Sequence, residues 1–155
     1  MDDTDIKILN ILQLDARTPN ADIARKVRMA PSAVHERIRK LEENGTIQRY
    51  ETRVDPKKAG LGLAAFIFVR SSDPVGEERT ADELAKIPEV LEVCHVAGED
   101  CYLVKVRVAD PEHLAELMRK QLGKISSITG TRTTIVLETL KETTALPLLG
   151  RHGRA

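Results

Sequence analysis

The sequence has few cysteines, few aromatic side chains and no net charge. It contains two cysteines, no tryptophan and 3% aromatic residues. Two cysteines exclude a disulfide-stapled scaffold, and no cysteine–histidine cluster has metal-ligand spacing. If a tight hairpin turns at "AGED", Cys94 and Cys101 do not sit opposite each other. We therefore expect two free, partly buried thiols.

Long apolar runs are also missing. No stretch approaches the roughly 20 apolar residues that cross a membrane. The N-terminus, "MDDTDIKILN", is acidic and leads directly into a periodic segment, so it does not resemble a signal peptide. These features predict a cytoplasmic protein without membrane contact. No nucleophile–base pair, metal cluster or phosphate loop is visible, so we expect no catalytic residue, no metal and no cofactor.

The zero net charge hides an uneven distribution. Residues 25–58 carry ten Lys and Arg against five Asp and Glu, whereas residues 1–22 carry two basic and five acidic side chains. A local basic patch matters more for a nucleic-acid partner than the total charge does. The basic segment is therefore the place to look for such a partner.

Three helices are predicted in the N-terminal part. The first is "TDIKILNILQLDA", capped by Asp3 or Thr4, and the second is "ADIARKV", capped by Asn20. The third begins at Pro31 and ends before Gly45, where a left-handed residue is wanted. After it, "TIQRYETRV" alternates as a short strand or hairpin arm does. This order predicts a helix-turn-helix with a small β wing.

The third helix has two different faces. Val34, Ile38 and Leu41 form one apolar stripe that is expected to face the other helices. Small and polar residues precede cationic ones on the outward side, the layout of a helix that enters the major groove of DNA. The predicted DNA-binding residues are Ser32, Ala33, His35, Glu36, Arg39 and Lys40, with Arg49 and Arg53 on the following strand. Arg37, at the edge of the stripe, is expected to pair with Glu42 or Asp5. The alternative is an ordinary solvated face.

The remaining chain alternates strands and helices in the order β-α-β-β-α-β, typical of a ferredoxin-like sandwich. The predicted strands are 63–70, 90–96, 102–108 and 131–140, and the predicted helices are 74–87 and 111–125. The whole chain is therefore assigned to the α+β class. Its predicted parts are a winged helix-turn-helix domain at 1–54, a linker at 55–62, a βαββαβ domain at 63–142 and a frayed tail at 143–155.

One predicted strand has no polar face. Residues 63–69 are apolar at every position, although a half-exposed antiparallel strand alternates. A second copy of the chain is the expected cover, which predicts a dimer. The alternative is that this face lies under the N-terminal domain.

The chain resembles the Lrp/AsnC family, the feast/famine transcription regulators. The most specific runs are "RIRKLEENGTI" and "VAGEDCYLVK", and the resemblance extends to about Leu140. It implies a winged helix-turn-helix that binds double-stranded DNA and a βαββαβ domain that binds an amino acid or related metabolite. It also implies a homodimer and often an octamer.

The resemblance places the effector against the loop between the two middle strands. The implied effector-binding residues are Ala97, Gly98, Glu99, Asp100, Cys101 and Tyr102, with Thr131, Arg132 and Thr133 as a second wall. Gly98 permits a positive φ, and Arg132 suits a carboxylate. Many relatives have Asp where this chain has Cys101. Either Asp100 replaces it, or the effector is not a simple amino acid, or the site is degenerate. Charged turns are also ordinary, and the alternative is that Glu99 and Asp100 belong to a plain solvated hairpin turn.

Two other functions fit the architecture. Siroheme decarboxylases share it, but they need histidines around a tetrapyrrole, and only His95 lies near this hairpin. An effector-sensing oligomer without DNA binding is the other alternative.

Overall fold

The computed structural model describes residues 1–74 and 76–149. The chain divides into two compact units. One comprises Met1–Thr52 together with the chain from Lys141 onward, and the other comprises Arg53–Leu140. Within the described residues, no helix is both long and apolar enough to cross a membrane.

The first unit contains three helices, α1 (Asp3–Leu14), α2 (Asn20–Val27) and α3 (Pro31–Glu43). They share one apolar core. Its members are Ile8, Ile23, Ala24, Val34 and Ile38, flanked by Ile11, Leu12, Val27, Met29 and Ile47. The stripe predicted for the third helix is confirmed, because its three residues are at most 8% exposed. Burial of each such side chain contributes about 1.5–3 kcal/mol relative to exposure.

The N-terminal ends of α1 and α2 differ from the predictions. Asp2, rather than Asp3 or Thr4, caps α1, because Asp5 reaches back to the Asp2 N–H while Asp2 accepts from the Asp5 N–H, both at 2.9 Å. Pro19, rather than Asn20, stands at the cap of α2. Its extended backbone starts the helix one residue early, so Asn20 is already helical.

Arg37 connects α3 to the start of α1. Its Nη1 donates to Asp5 Oδ1 at 2.7 Å and to Asp2 Oδ2 at 2.8 Å. The predicted Asp5 partner is therefore confirmed, and Asp2 is added to it. The pKa of Asp2 is lowered, first by the Asp5 N–H and then by the Arg37 guanidinium. This pairing removes Arg37 from the outward face of α3.

The end of α3 has the predicted geometry. Gly45 adopts φ +75°, in the left-handed region. The Ile47 N–H then donates to the Leu41 carbonyl at 2.8 Å, and Ile47 packs against the helical core. Both contacts depend on the turn at Gly45.

The predicted wing strand is wrong: residues 46–62 contain no strand. A strand needs a neighbouring backbone, and no other strand pairs with this segment among the described residues. Alternation alone therefore did not produce a strand. Tyr50 is instead held by a hydrogen bond from its Oη to Glu42 Oε1 at 2.8 Å. Partial burial, with the nearby carboxylate, raises the pKa of Tyr50 to about 12.

The second unit follows the predicted element order. Its strands are β1 (Leu63–Ser71), β2 (Val90–His95), β3 (Tyr102–Val108) and β4 (Ile128–Ile135). Its helices are α4 (Arg79–Leu84) and α5 (Pro111–Lys120), followed by a 3₁₀ turn (Leu122–Lys124). The antiparallel sheet has the order β2-β3-β1-β4. This is the predicted split pattern.

Both helices pack on one face of the sheet. Alternate strand residues and helix residues form a single core, and its members include Ala65, Ile67, Val69, Val104, Val106, Leu84, Leu114 and Leu117. Asp110 caps α5 by accepting from the His113 N–H at 2.8 Å, with Pro111 in the first helical turn.

Helices α4 and α5 and strand β4 are shorter than predicted. Helix α5 ends at Lys120 instead of 125, ahead of the 3₁₀ turn. Helix α4 begins at Arg79 instead of 74, because Gly76 has φ +91° and Asp73 binds the N–H and Oγ1 of Thr80 at 2.9 and 2.6 Å. Strand β4 begins earlier than predicted and ends at Ile135 instead of 140. Ile135 pairs with Ala65, and the Val136 N–H donates to the Ala64 carbonyl at 2.9 Å. Because β1 begins at Leu63, no partner strand remains for the residues that follow.

The other face of the sheet carries the second set of β1 side chains, Ala64, Phe66 and Phe68. The two phenylalanines are half-buried although α4 and α5, the helices described in this unit, pack on the opposite face. Cys94 lies opposite Leu103 on the edge strand β2 and is exposed, so the expectation of two partly buried thiols is wrong for Cys94. Both cysteines are free, and Cys101 is half-buried.

The C-terminal segment differs from the predicted frayed tail. Gln13 of α1 donates to the Leu146 carbonyl at 3.2 Å and accepts from the Leu146 N–H at 2.6 Å. Asn10 donates to the Leu148 carbonyl at 3.2 Å. These amides satisfy main-chain groups that a frayed end leaves to water. The prediction for residues 150–155 lies outside the described residues.

Replacing Gly45 with Ala tests the left-handed turn. A Cβ at Gly45 meets no atom within 4 Å, so the cost comes from the backbone alone. We expect the free energy of unfolding to fall by about 1 kcal/mol, measured by urea denaturation. Gly130→Ala is the matched control, because Gly130 has equally open space without a positive φ. Equal stability changes in the two variants would contradict the account.

Candidate nucleic-acid interface and effector site

The outward face of α3 lies opposite its buried stripe. Ser32, His35, Arg39 and Lys40 are exposed, and Ala33 and Glu36 are half-buried. The structure thus brings six of the eight predicted DNA-binding residues together on one helical surface. His35 Nδ1 lies 3.5 Å from Asn20 Nδ2, at the beginning of α2.

The cations of this face have carboxylate partners on the same helix. Arg39 Nε and Nη2 bind the two carboxylate oxygens of Glu36 at 3.0 and 2.7 Å, and Arg39 Nη1 binds Glu43. Lys40 Nζ lies 3.6 Å from Glu36. The Arg39 guanidinium lowers the pKa of Glu36 to about 2. Two cations therefore face two carboxylates.

Glu43 was missed among the predicted site residues. It lies four residues after Arg39, the spacing at which opposite charges meet on a helix. That spacing was visible in the sequence. DNA phosphates that approach Arg39 must compete with Glu36 and Glu43.

Arg49 and Arg53 are not arranged as predicted. They were expected on one side of a strand, but their segment contains none. Arg49 Nε instead lies 2.5 Å from Glu51 Oε1. Their predicted DNA contacts remain a prediction without the support of a wing strand.

The hairpin between β2 and β3 forms the centre of the predicted effector site. The Val96 N–H donates to the Cys101 carbonyl at 2.9 Å and closes the loop. Gly98 has φ +129°, as expected. Ala97, Gly98 and Glu99 are exposed. The loop therefore presents main-chain groups and one free-standing acidic side chain to solvent.

Asp100 and Arg132 lie together at one end of the open face of the sheet, the face that carries Phe66 and Phe68 and lies opposite the helices. Arg132 Nη2 is 3.1 Å from Asp100 Oδ2, and Arg70 Nε is 3.4 Å from Asp100 Oδ1. The Arg132 guanidinium also stacks on the Phe68 ring, 3.9 Å from its centroid. The Arg132 guanidinium thus lies over the Phe68 ring while its Nη2 nitrogen contacts the Asp100 carboxylate.

The other predicted effector residues lie on the helix side of the sheet. Cys101 Sγ accepts from the Ser71 N–H at 3.4 Å, and Tyr102 is 3% exposed in the core. Thr131 and Thr133 pair with Val69 and Ile67, whose side chains enter the core. Strand alternation therefore separates Thr131 and Thr133 from Arg132, and Cys101 and Tyr102 pack with the helix-covered core.

Comparison with known proteins assigns both units to known domain families. The AsnC-type helix-turn-helix domain model matches residues 1–42, and the Lrp/AsnC ligand binding domain model matches residues 64–146. The HTH-type transcriptional regulator FL11 of Pyrococcus horikoshii is 40% identical over 148 residues, which cover 96% of this chain and 97% of that protein.

Solved structures agree with this placement. The transcriptional regulator NMB0573 in complex with L-Met from Neisseria meningitidis has a TM-score of 0.91, 32% identity and 98% coverage of both chains. AsnC of E. coli has a TM-score of 0.87 and 26% identity, with 94% of this chain and 97% of that chain covered. The predicted fold and family are therefore confirmed. The chain belongs to the Lrp/AsnC family and is a transcriptional regulator with a helix-turn-helix DNA-binding domain and a ligand-binding domain.

Proposed function

We propose that α3 is the recognition helix and enters the major groove of double-stranded DNA. The observation that carries this proposal is the separation of its buried stripe from an exposed polar face. Ser32 and Ala33 are short and stand at the N-terminal end, where the backbone approaches the bases. Arg39 and Lys40 lie further along the helix. Their side chains reach DNA phosphates once the ion pairs with Glu36 and Glu43 are broken.

The second proposal concerns the effector, which we take to be an amino acid. The Neisseria relative was solved with L-Met. In this chain, the half-buried Asp100 and the exposed Arg132 form a pair of opposite charges. A zwitterion placed against this pair meets Arg132 with its carboxylate and Asp100 with its ammonium group. Asp100 thereby replaces the Asp that many relatives have at position 101.

The third proposal is a homodimer formed through the open face of the sheet. Phe66 and Phe68 are only half-buried there, and they need a cover that the described part of the unit does not supply. A symmetric pair of chains buries the same patch twice. Such a dimer carries two copies of α3, which suits two half-sites about 34 Å apart. Higher assemblies, such as an octamer, are compatible with the same contact.

Regulation follows from linkage between these sites. A ligand changes DNA affinity only if it binds one arrangement of the assembly more tightly than another. We propose that amino-acid binding beside the dimer face changes the spacing or the number of assembled chains. This change alters how well the copies of α3 fit their half-sites on the DNA.

Removing the two cations on the outward face of α3 tests the DNA proposal. We expect Arg39→Ala with Lys40→Ala to weaken binding to DNA selected from a random pool by at least about 10-fold. The slope of log K against log salt should become less negative by about two, because two phosphate contacts are lost. Fluorescence anisotropy across a salt series measures both the affinity and its salt slope. The control is Lys120→Ala, an exposed cation paired with Glu116 on α5. Unchanged affinity and slope would favour an effector-sensing oligomer that does not bind DNA.

Replacing Asp100 with Asn tests the effector site. Calorimetry should show L-methionine binding weakened by about 10-fold, because the ammonium loses a charged acceptor. N-acetylmethionine has no ammonium group, so its binding should not weaken in the variant. Glu99→Gln serves as the comparison, since Glu99 is the neighbouring acidic residue. Loss of binding in Glu99→Gln with none in Asp100→Asn would contradict the assignment.

A charge placed on the open face tests the dimer. We expect Phe66→Asp to sediment as a monomer where the wild type sediments as a dimer or larger assembly, because the partner face cannot solvate a buried carboxylate. Leu137→Asp is the control, since Leu137 is 98% exposed outside the strands. Identical sedimentation of Phe66→Asp and wild type would refute this contact.

A further inference from the structure

The turn between α2 and α3 contains a strained residue. Arg28 ends α2 with φ 58° and ψ 50°, in the left-handed region. Among the described residues it is the one non-glycine residue with a positive φ. A side chain with a Cβ is disfavoured there, whereas glycine adopts this conformation freely. Non-glycine residues in this conformation cluster at functional sites.

Contacts within the chain do not explain why Arg is present. Its N–H donates to the Ala24 carbonyl, a bond that glycine makes equally well. Its side chain is exposed, and it has neither a hydrogen bond nor an ion pair within the described residues. Arg25, on the last turn of the same helix, pairs with Asp22. Arg28 therefore differs from its neighbour in having a charge that no carboxylate balances.

The position of Arg28 relates it to the recognition helix. Only Met29 and Ala30 separate it from Pro31, the first residue of α3. Three Cα steps of 3.8 Å keep its Cα within about 11 Å of the start of α3. When the first turn of α3 enters a major groove, the flanking phosphates come within reach of a long cationic side chain at this turn.

We propose that Arg28 binds a DNA phosphate beside the groove and that this contact is the reason for a strained arginine in the turn. This inference rests on the proposed entry of α3 into the major groove. It assigns Arg28 to affinity and positioning and not to base recognition, because a phosphate contact carries no sequence information.

The test compares Arg28→Gly with Arg28→Lys. Glycine relieves the strain and removes the charge, so the melting temperature should rise by about 2–4 °C. Binding should weaken by about 5–10-fold near 0.1 M salt, equally for selected and random DNA, with a salt slope less negative by about one. Lysine keeps both the strain and the charge, so its melting temperature and salt slope should match the wild type. Arg119→Gln on α5 controls for the loss of one positive charge elsewhere.

The outcomes separate this inference from the proposal on which it rests. A higher melting temperature with unchanged DNA affinity and slope would overturn the phosphate contact. An unchanged or lower melting temperature in Arg28→Gly would overturn the claim that the arginine is kept at a cost to stability. Failure of the recognition-helix proposal appears elsewhere, as unchanged binding after replacement of Arg39 and Lys40.

Discussion

The packing of Val34 and Ile38 against α1 and α2, with Leu41 buried on the same stripe, is the interaction on which the function depends. These side chains are 0%, 8% and 4% exposed. Their burial fixes the rotation of α3 about its own axis, and this rotation decides which residues face outward. Arg37 adds a polar bond on the edge of the same interface, through Asp2 and Asp5. The outward face is thus a consequence of the core.

Charge balance connects the two candidate sites. On α3, Arg39 is bound by Glu36 and Glu43, and in the sheet, Arg132 is bound by Asp100. Each arginine is exposed, so its internal partner contributes little stability and is easily exchanged. A DNA phosphate or an amino-acid carboxylate offers an alternative anion in each case. The free energy of binding then depends on the difference between the internal ion pair that is broken and the ion pair that forms with the ligand. Both pairs are in contact with solvent, which favours reversible and selective association.

Structural features that depend on local periodicity were predicted correctly from the sequence, whereas features that depend on a neighbouring strand were missed. The stripe of α3 and the β-α-β-β-α-β order follow from apolar spacing, and both are confirmed. The wing strand and the end of β4 depend on a pairing partner, which spacing does not reveal. Thr131 and Thr133 were grouped with Arg132 although period-two alternation already separates them. The left-handed Arg28 had no signal, because arginine is not typical of that conformation.

Methylation protection with dimethyl sulfate tests the central claim most directly, because the reagent attacks guanine N7 in the major groove and adenine N3 in the minor groove. The measurement uses the wild-type protein on DNA selected from a random pool. Entry of α3 into the major groove predicts protection of guanine N7 within the bound site, with adenine N3 left reactive. Protection of adenine N3 alone, or of neither position in a saturated complex, would contradict the account.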